Sequence, residues 1–240
     1  MNTINYKEIE KFSKLSEEWW NPLGKFKPLH KFNPIRIKYI KQNIIEHFNI
    51  VNSKKPLDNL SLLDVGCGGG LLSEPMCILG AKVTGIDAIR KNIYIAKIHA
   101  KKNKLKINYF VKDFEQETIK HKYDVIIIFE VLEHLNNWEK FLKKIKLNLN
   151  NNGVLIISTI NKNLISKFFT IDLAENFLNW IPQNTHKYHK FIEPEELELY
   201  LSNNNFKNIY FKGLVYDPLK SNWKLSPNTK INYFCSCILH

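Results

Sequence analysis

The sequence predicts an α/β fold: a mostly parallel sheet of seven strands, helices on both faces, and an antiparallel edge made by the last strands. Three observations carry this. Strand-like apolar runs alternate with helical patterns from about residue 60 onward, the signature of strands joined by crossover helices. The "VIIIF" centre of "DVIIIFE" (124–130) is unbroken and rich in β-branched residues, as in a strand buried on both faces. Finally, "LLDVGCGGGLL" (62–72) puts four glycines between a strand and a helix, at the crevice where such sheets bind ligands.

Composition bounds the rest. A chain of 240 residues holds one well-filled α/β domain. Hydrophobic residues at 44% and aromatic residues at 12% specify a packed core and argue against disorder. No run reaches the ~18 uncharged apolar residues that span a bilayer, and the amino end mixes acids and bases unlike a secretory signal; a cytoplasmic protein is expected. Cys67, Cys77, Cys235 and Cys237 show no CxxC and no zinc spacing, so they read as free thiols. The net charge of +12 is almost wholly lysine, with Arg36 and Arg90 the only arginines. Scattered lysines read as a solvated basic surface, and no nucleic-acid partner is expected.

The elements follow in order. Residues 1–55 read as an N-terminal helical cap, two helical stretches joined by the proline-punctuated loop "NPLGKFKPLHKFNP" (21–34). Residues 56–240 form the main domain. Its strands are "SLLDVG" (61–66), "KVTGID" (82–87), "KINYFV" (106–111), "DVIIIFE" and "VLIISTI" (154–160). The intervening helices are "LLSEPMCILG" (71–80), closed by Gly80; "RKNIYIAKIHAKKNK" (90–104); and "NWEKFLKKIKLNLNNNG" (137–153), with Trp138, Phe141, Leu142 and Ile145 on one side. A helical insertion covers about 163–203. "FKNIYFKG" (206–213) and "INYFCSCIL" (231–239) close the chain without a helix between them, as an antiparallel hairpin does.

The glycine loop points to a cofactor. Gly66, Gly68 and Gly70 permit positive φ and remove Cβ atoms, so a ligand can lie against the backbone. Asp87 ends the second strand, placed to accept bonds from two ribose hydroxyls. A dinucleotide would rest its pyrophosphate here, but Asp64 precedes the loop and repels pyrophosphate. Two acids suit a cation, which favours S-adenosylmethionine with its sulfonium and ammonium groups. Asp113, after the third strand, is a candidate for the adenine amino group, with Phe114 stacking; Asp also caps helices and turns.

The stretch "LLDVGCGGGLLSEPMCILGAKVTGID" (62–87) resembles motif I and the acidic strand end of Rossmann-like class I methyltransferases. "EEWWNPLGKFKPLHKFNPIRIKYI" (17–40) is similar to the N-terminal segment of the ubiquinone-biosynthesis O-methyltransferases, and "NTHKYHKFIEPEEL" (184–197) and "INYF" (231–234) fall where that family has its late motifs. The resemblance covers nearly the whole chain. It implies that Arg36 contacts the methionine carboxylate, that Gly66 and Asp87 hold the cofactor, and that Phe129 borders it. Many members of the family have methionine at that last position. It further implies both O-methylation steps, on 2-polyprenyl-6-hydroxyphenol and on 3-demethylubiquinol.

For methyl transfer to oxygen the enzyme must align the reactants and deprotonate a phenol. "EVLEH" (130–134) offers Glu130, Glu133 and His134 at i, i+3 and i+4, which a helix would turn to one face. They would hold a divalent ion such as Mg that a vicinal diol chelates, or Glu133 and His134 would act directly. The same acids are also favoured simply in a helix's first turn. His186 is the alternative base, at the family's position, while His189 also fits a lysine-rich surface loop. The insertion "NLISKFFTIDLAENFLNWIPQNT" (163–185) reads either as a lid over the polyprenyl tail that touches anionic membrane lipid at the inner face, or as a helix packed on the sheet. A ubiquinone-biosynthesis complex is the expected protein partner. Rival readings are a metal-assisted RNA 2′-O-methyltransferase and a non-catalytic cofactor-binding scaffold.

Overall fold

The computed structural model describes residues 15–51, 53–113, 121–168, 187–217 and 222–240. A long first helix, α1 (Lys27–His47), precedes the sheet. Next come β1 (Ser61–Val65), α2 (Ser73–Ile78), β2 (Lys82–Asp87), α3 (Arg90–Lys102), β3 (Asn108–Val111) and β4 (Tyr123–Phe129). They are followed by α4 (Trp138–Lys146), β5 (Leu149–Ile160), the single turn α5 (Leu164–Lys167) and α6 (Pro194–Asn203). Three strands finish the chain: β6 (Phe206–Asp217), β7 (Asn222–Ser226) and β8 (Asn232–Leu239).

The sheet order is β3-β2-β1-β4-β5-β8-β6-β7. The first five positions are parallel, and β8, β6 and β7 add antiparallel pairs. Strands β1 to β3 are laid in one direction and β4, β5 in the other. The reversal therefore lies between β1 and β4, and the carboxyl ends of those strands open the crevice in which such sheets bind ligands.

The interior of β4 shows why the sheet is buried on both faces. Val125 and Ile127 pack with Tyr39, Ile40 and Ile44 of α1, whereas Ile126 and Ile128 pack with Phe141, Leu142 and Ile145 of α4 and Leu197 and Leu201 of α6. Alternate strand residues face opposite sides, so an unbroken apolar run feeds two cores. Burying each such side chain contributes about 1.5–3 kcal/mol.

Three local expectations change. The proline-punctuated loop is helical from Lys27: Pro28 lies in the first turn, where no N–H is needed, and Pro34 lies inside α1. Burial of Arg36, Tyr39, Ile40 and Ile44 on one face of α1 holds the helix through that missing bond. The helix expected over 137–153 ends at Lys146, and its asparagine-rich end is part of β5: between Tyr123↔Leu149 and Val125↔Val154 the register shifts, and Asn152 at φ 62 helps carry the bulge. There is also an eighth strand, β7, pairing with β6 from Gly213↔Ser226 to Asp217↔Asn222. Its residues, "NWKLS", give little apolar periodicity, because an edge strand with few buried positions needs none. Trp223 anchors it, its ring edge-on to Phe32 of α1 at 4.5 Å.

Phe234 is 1% exposed and sits between Tyr39 (5.0 Å) and Phe129 (5.7 Å). Phe234→Ala leaves a cavity under the site and is expected to lower unfolding free energy by about 3–5 kcal/mol, read from the urea midpoint at unchanged m-value.

Candidate active site

At the end of β1 the chain turns through Gly66 (φ 73), Gly68 (φ 53) and Gly70 (φ 90). Gly66 and Cys67 donate their N–H groups to the Ile86 carbonyl at 2.8 and 3.0 Å, tying the loop to β2. The loop lies close to the protein's own side chains. A Cβ at Gly66 would collide with Val131, one at Gly70 with the Tyr109 hydroxyl, and one at Gly68 or Gly69 with the indole of Trp19.

Trp19 belongs to a strap over the loop. Its Nε1 donates to Asn92 Oδ1 at 2.9 Å and its ring stacks on Phe26 at 3.9 Å. Ser16 Oγ donates to the same Asn92 oxygen at 2.6 Å. Trp20 Nε1 donates to the Gly69 carbonyl at 2.9 Å, and its ring stacks on His99 at 3.4 Å. The paired tryptophans of the sequence are thus the strap's two anchors.

Two acids face this loop. Asp64 is 2% exposed and accepts from Ser73 Oγ at 2.6 Å. Burial pushes its carboxyl up to about 7, the Ser73 hydroxyl opposing and the charge of Asp87 adding to the rise. Asp87 accepts from Ile89 N (2.7 Å), Gly68 N (3.0 Å) and Asn92 Nδ2 (3.3 Å), and burial raises its carboxyl despite these bonds. Among the described residues neither acid has a salt-bridge partner. Asp113 lies two residues past Val111, which pairs with Asp87 across β2 and β3, so it borders the same crevice.

A second cluster forms beyond β4. Arg36 reaches in from α1, 5% exposed, and its Nη2 meets Glu130 Oε1 at 2.9 Å. The guanidinium lies 5.8 Å from the ring centre of Phe129, and its buried Nε has no partner among the described residues. Glu130 also accepts from Ser158 Oγ at 2.6 Å. Glu133 is 2% exposed; its Oε2 accepts from Thr159 Oγ1 at 2.8 Å, and its buried Oε1 has no donor among the described residues. Burial, with the Glu130 charge adding to it, pushes the Glu133 carboxyl well up.

The "EVLEH" stretch is not the expected helix. Glu130 is left-handed at φ 56, and a single 3-10 turn spans Leu132–His134. The i, i+3 and i+4 alignment of a helix is therefore lost. Among the described residues no three His, Cys, Asp or Glu side chains converge as the ligands of an ion do. One oxygen of Glu130 is taken by Arg36 and Ser158, and one of Glu133 by Thr159, which leaves each carboxylate its second oxygen. The carbonyl of His134 takes Lys190 Nζ at 3.0 Å.

The fold thus gathers Asp64, Gly66, Gly68, Gly70, Asp87 and Asp113 at one end of the crevice and Arg36, Phe129, Glu130 and Glu133 at the other. His186, Phe114 and residues 169–185 of the insertion lie outside the described residues. Sequence reasoning passed over Trp19, Trp20, Asn92, Ser158 and Thr159 as site residues. The signal for the last two was visible, since two hydroxyls interrupt the otherwise apolar "VLIISTI".

Comparison with known proteins fits this geometry. A family model described as a methyltransferase domain matches residues 35–210. The ubiquinone biosynthesis O-methyltransferase of Pelagibacter ubique (strain HTCC1062) is 53% identical over 238 residues, covering 99% of each chain. That of Rickettsia akari (strain Hartford) is 43% identical, covering 98% of this chain and 91% of its own. The structure of magnesium protoporphyrin IX methyltransferase from Synechocystis PCC 6803 with bound SAM aligns over 97% of each chain with a TM-score of 0.65. At 16% identity that likeness speaks for the fold alone. By sequence over nearly its whole length, the chain belongs to the ubiquinone biosynthesis O-methyltransferases.

Proposed function

We propose that the protein transfers a methyl group from S-adenosylmethionine to a hydroxyl of polyprenyl catechol and demethylubiquinol intermediates, serving both O-methylations of ubiquinone biosynthesis. The observation that carries this reading is the 53% identity over 99% of the chain to a protein of that name. An RNA methyltransferase and a non-catalytic scaffold are not favoured, since the similarity to ubiquinone enzymes extends through both ends of the chain.

The residues present suit that cofactor. Asp64 is buried and Asp87 half-buried, and among the described residues neither has a cation beside it; a positively charged ligand restores what desolvation takes from them. Gly66, Gly68 and Gly70 bring backbone close to it, and Asp87 offers the ribose two acceptor oxygens. Arg36, with an unpaired Nε, is the donor for the carboxylate, and Phe129 and Asp113 flank the remainder. S-adenosylmethionine supplies a methyl group on a sulfonium, a good leaving group, so the chain's own task is alignment and removal of the phenolic proton. We assign that proton to Glu133. Its Oε1 is a buried acceptor lacking a donor, and burial raises its basicity towards that of a phenol. His186 is the alternative base, and Glu133→Gln against His186→Gln separates the two: the true base loses about 100-fold or more in kcat.

Among the described residues no helix is long and apolar enough to cross a membrane. Contact with anionic lipid through residues 163–185, and membership of a ubiquinone-biosynthesis complex, are part of the same proposal. Vesicle co-sedimentation and affinity capture from native membranes would test them.

The direct test of activity is transfer of label from the cofactor to a short-chain prenyl catechol and to a demethylubiquinol. Methylation of both is expected, and methylation of neither sinks the reading. Cofactor affinity is expected to depend on pH through Asp64. Its carboxyl sits near pH 7 in the free protein, and a cationic ligand favours the ionised form. Affinity is therefore greatest above pH 7 and weakens as pH falls below it, by up to about tenfold per unit. Asp64→Asn flattens that dependence, and calorimetry across pH 5.5–8.5 reads it.

A further inference from the structure

The strap over the glycine loop acts on more than the loop. Trp19 Nε1 and Ser16 Oγ both donate to Oδ1 of Asn92, at 2.9 and 2.6 Å. Asn92 stands in the first turn of α3 and is 2% exposed. An indole N–H can only donate, so the amide atom that faces it is the oxygen. The amide nitrogen is thereby turned the other way, where it donates to Oδ1 of Asp87 at 3.3 Å. The strap sets the orientation of this amide, and with it one donor to Asp87.

Trp19 meets the second oxygen of Asp87 by another route. Gly68 N donates to Oδ2 at 3.0 Å, and the indole lies against the backbone of Gly68 and Gly69, where a Cβ on either would run into it. Gly68 also serves its φ of 53, but Gly69 is not in the left-handed region, so what excludes a side chain there is the indole. The ring is itself held, stacked on Phe26 at 3.9 Å, while the Trp19 carbonyl accepts from His30 Nε2 at 2.9 Å. Each oxygen of Asp87 therefore has a donor that rests on Trp19. The Ile89 N–H, 2.7 Å from Oδ1, is independent of the strap.

We propose that Trp19 is a positioning residue for the cofactor: through Asn92 and Gly68 it fixes the Asp87 carboxylate in the orientation that receives the ribose hydroxyls. This rests on the assignment of Asp87 to the ribose of S-adenosylmethionine; the hold of Trp19 and Ser16 on Asn92 does not.

The test removes both donors to Asn92 Oδ1 in the full chain. Ser16→Ala combined with Trp19→Phe deletes the hydroxyl and the indole N–H and keeps an aromatic ring over the glycines. Two ligands are titrated by calorimetry, S-adenosylhomocysteine and its 2′-deoxy analogue, which lacks one of the hydroxyls that Asp87 receives. The Kd of the first is expected to rise about three- to tenfold. The Kd of the analogue is expected to rise less, because the strap acts through the hydroxyl it lacks. Equal losses with both ligands mean a loosened fold, and no loss with either means an idle strap; each overturns the proposal. Should the double variant fail to fold, Trp19→Phe alone enters the same comparison. Nitrogen-15 spectra of the side-chain amides, with Asn92 assigned through Asn92→Ala, keep the tie separable from the ligand. The Asn92 resonances of the free protein are expected to move in the double variant. Resonances that stay put overturn the tie, whether or not either ligand binds. Resonances that move, where the parent protein binds neither ligand, overturn the cofactor reading and the ribose role with it, leaving the tie standing.

Discussion

The carboxyl ends of β1, β2 and the loop after β4 bring together four acids, Asp64, Asp87, Glu130 and Glu133, and among the described residues Arg36 is the cation paired with any of them. Crowding negative charge in a poorly hydrated crevice is unfavourable in itself. The structure meets it by one cation, Arg36 on Glu130, and otherwise by hydrogen bonds: Ser73 on Asp64, Gly68, Ile89 and Asn92 on Asp87, Ser158 on Glu130, Thr159 on Glu133. Such bonds satisfy oxygen lone pairs while leaving most of the negative charge in place. A crevice built this way repels a pyrophosphate and retains a sulfonium and an ammonium.

Arg36 enters this crevice from outside the parallel sheet, and that explains the course of the N-terminal region. The guanidinium arrives because α1 lies along the sheet with Tyr39, Ile40 and Ile44 packed against Val125, Ile127 and Phe234. Pro34, two residues before Arg36, would weaken an isolated helix; here packing outweighs it. Upstream, the strap of Trp19 and Trp20 is fastened to Asn92 and Gly69. Asn92 also bonds Asp87, so the strap and the acid at the end of β2 share one side chain.

The strand and helix pattern of the parallel half was legible because both of its signals are local. Periodicity marks buried faces, and glycine marks positive φ, as Gly66, Gly68 and Gly70 show. What the sequence hid depends on distant partners. β7 is too polar to announce itself, and pairs only because β6 and Phe32 lie beside it. "EVLEH" has the spacing of a helical face, yet the tie of Glu130 to Ser158 and Arg36, residues 28 and 94 positions away, holds it in another conformation. The acids were visible as acids. The partner that each acid meets was not, because the pairing partners arrive by topology.

The two glutamates illustrate how a site separates roles between identical side chains. Glu130 shares an oxygen with a guanidinium and a hydroxyl, and its side chain is 26% exposed. Glu133 is buried; its Oε2 accepts from the neutral Thr159 hydroxyl, and the Glu130 side chain lies against it. An oxygen already engaged by a cation is a poor acceptor for a further proton, whereas a buried carboxyl held by a neutral donor keeps and even gains basicity. The charge of Glu130 adds to that gain. Arg36 therefore gives Glu130 a charged partner, while the bonds recorded for Glu133 come from neutral donors and from Glu130 itself. A lysine at that position would supply the charge but not the planar fork, and so would leave the orientation of Glu130 to the Ser158 hydroxyl alone.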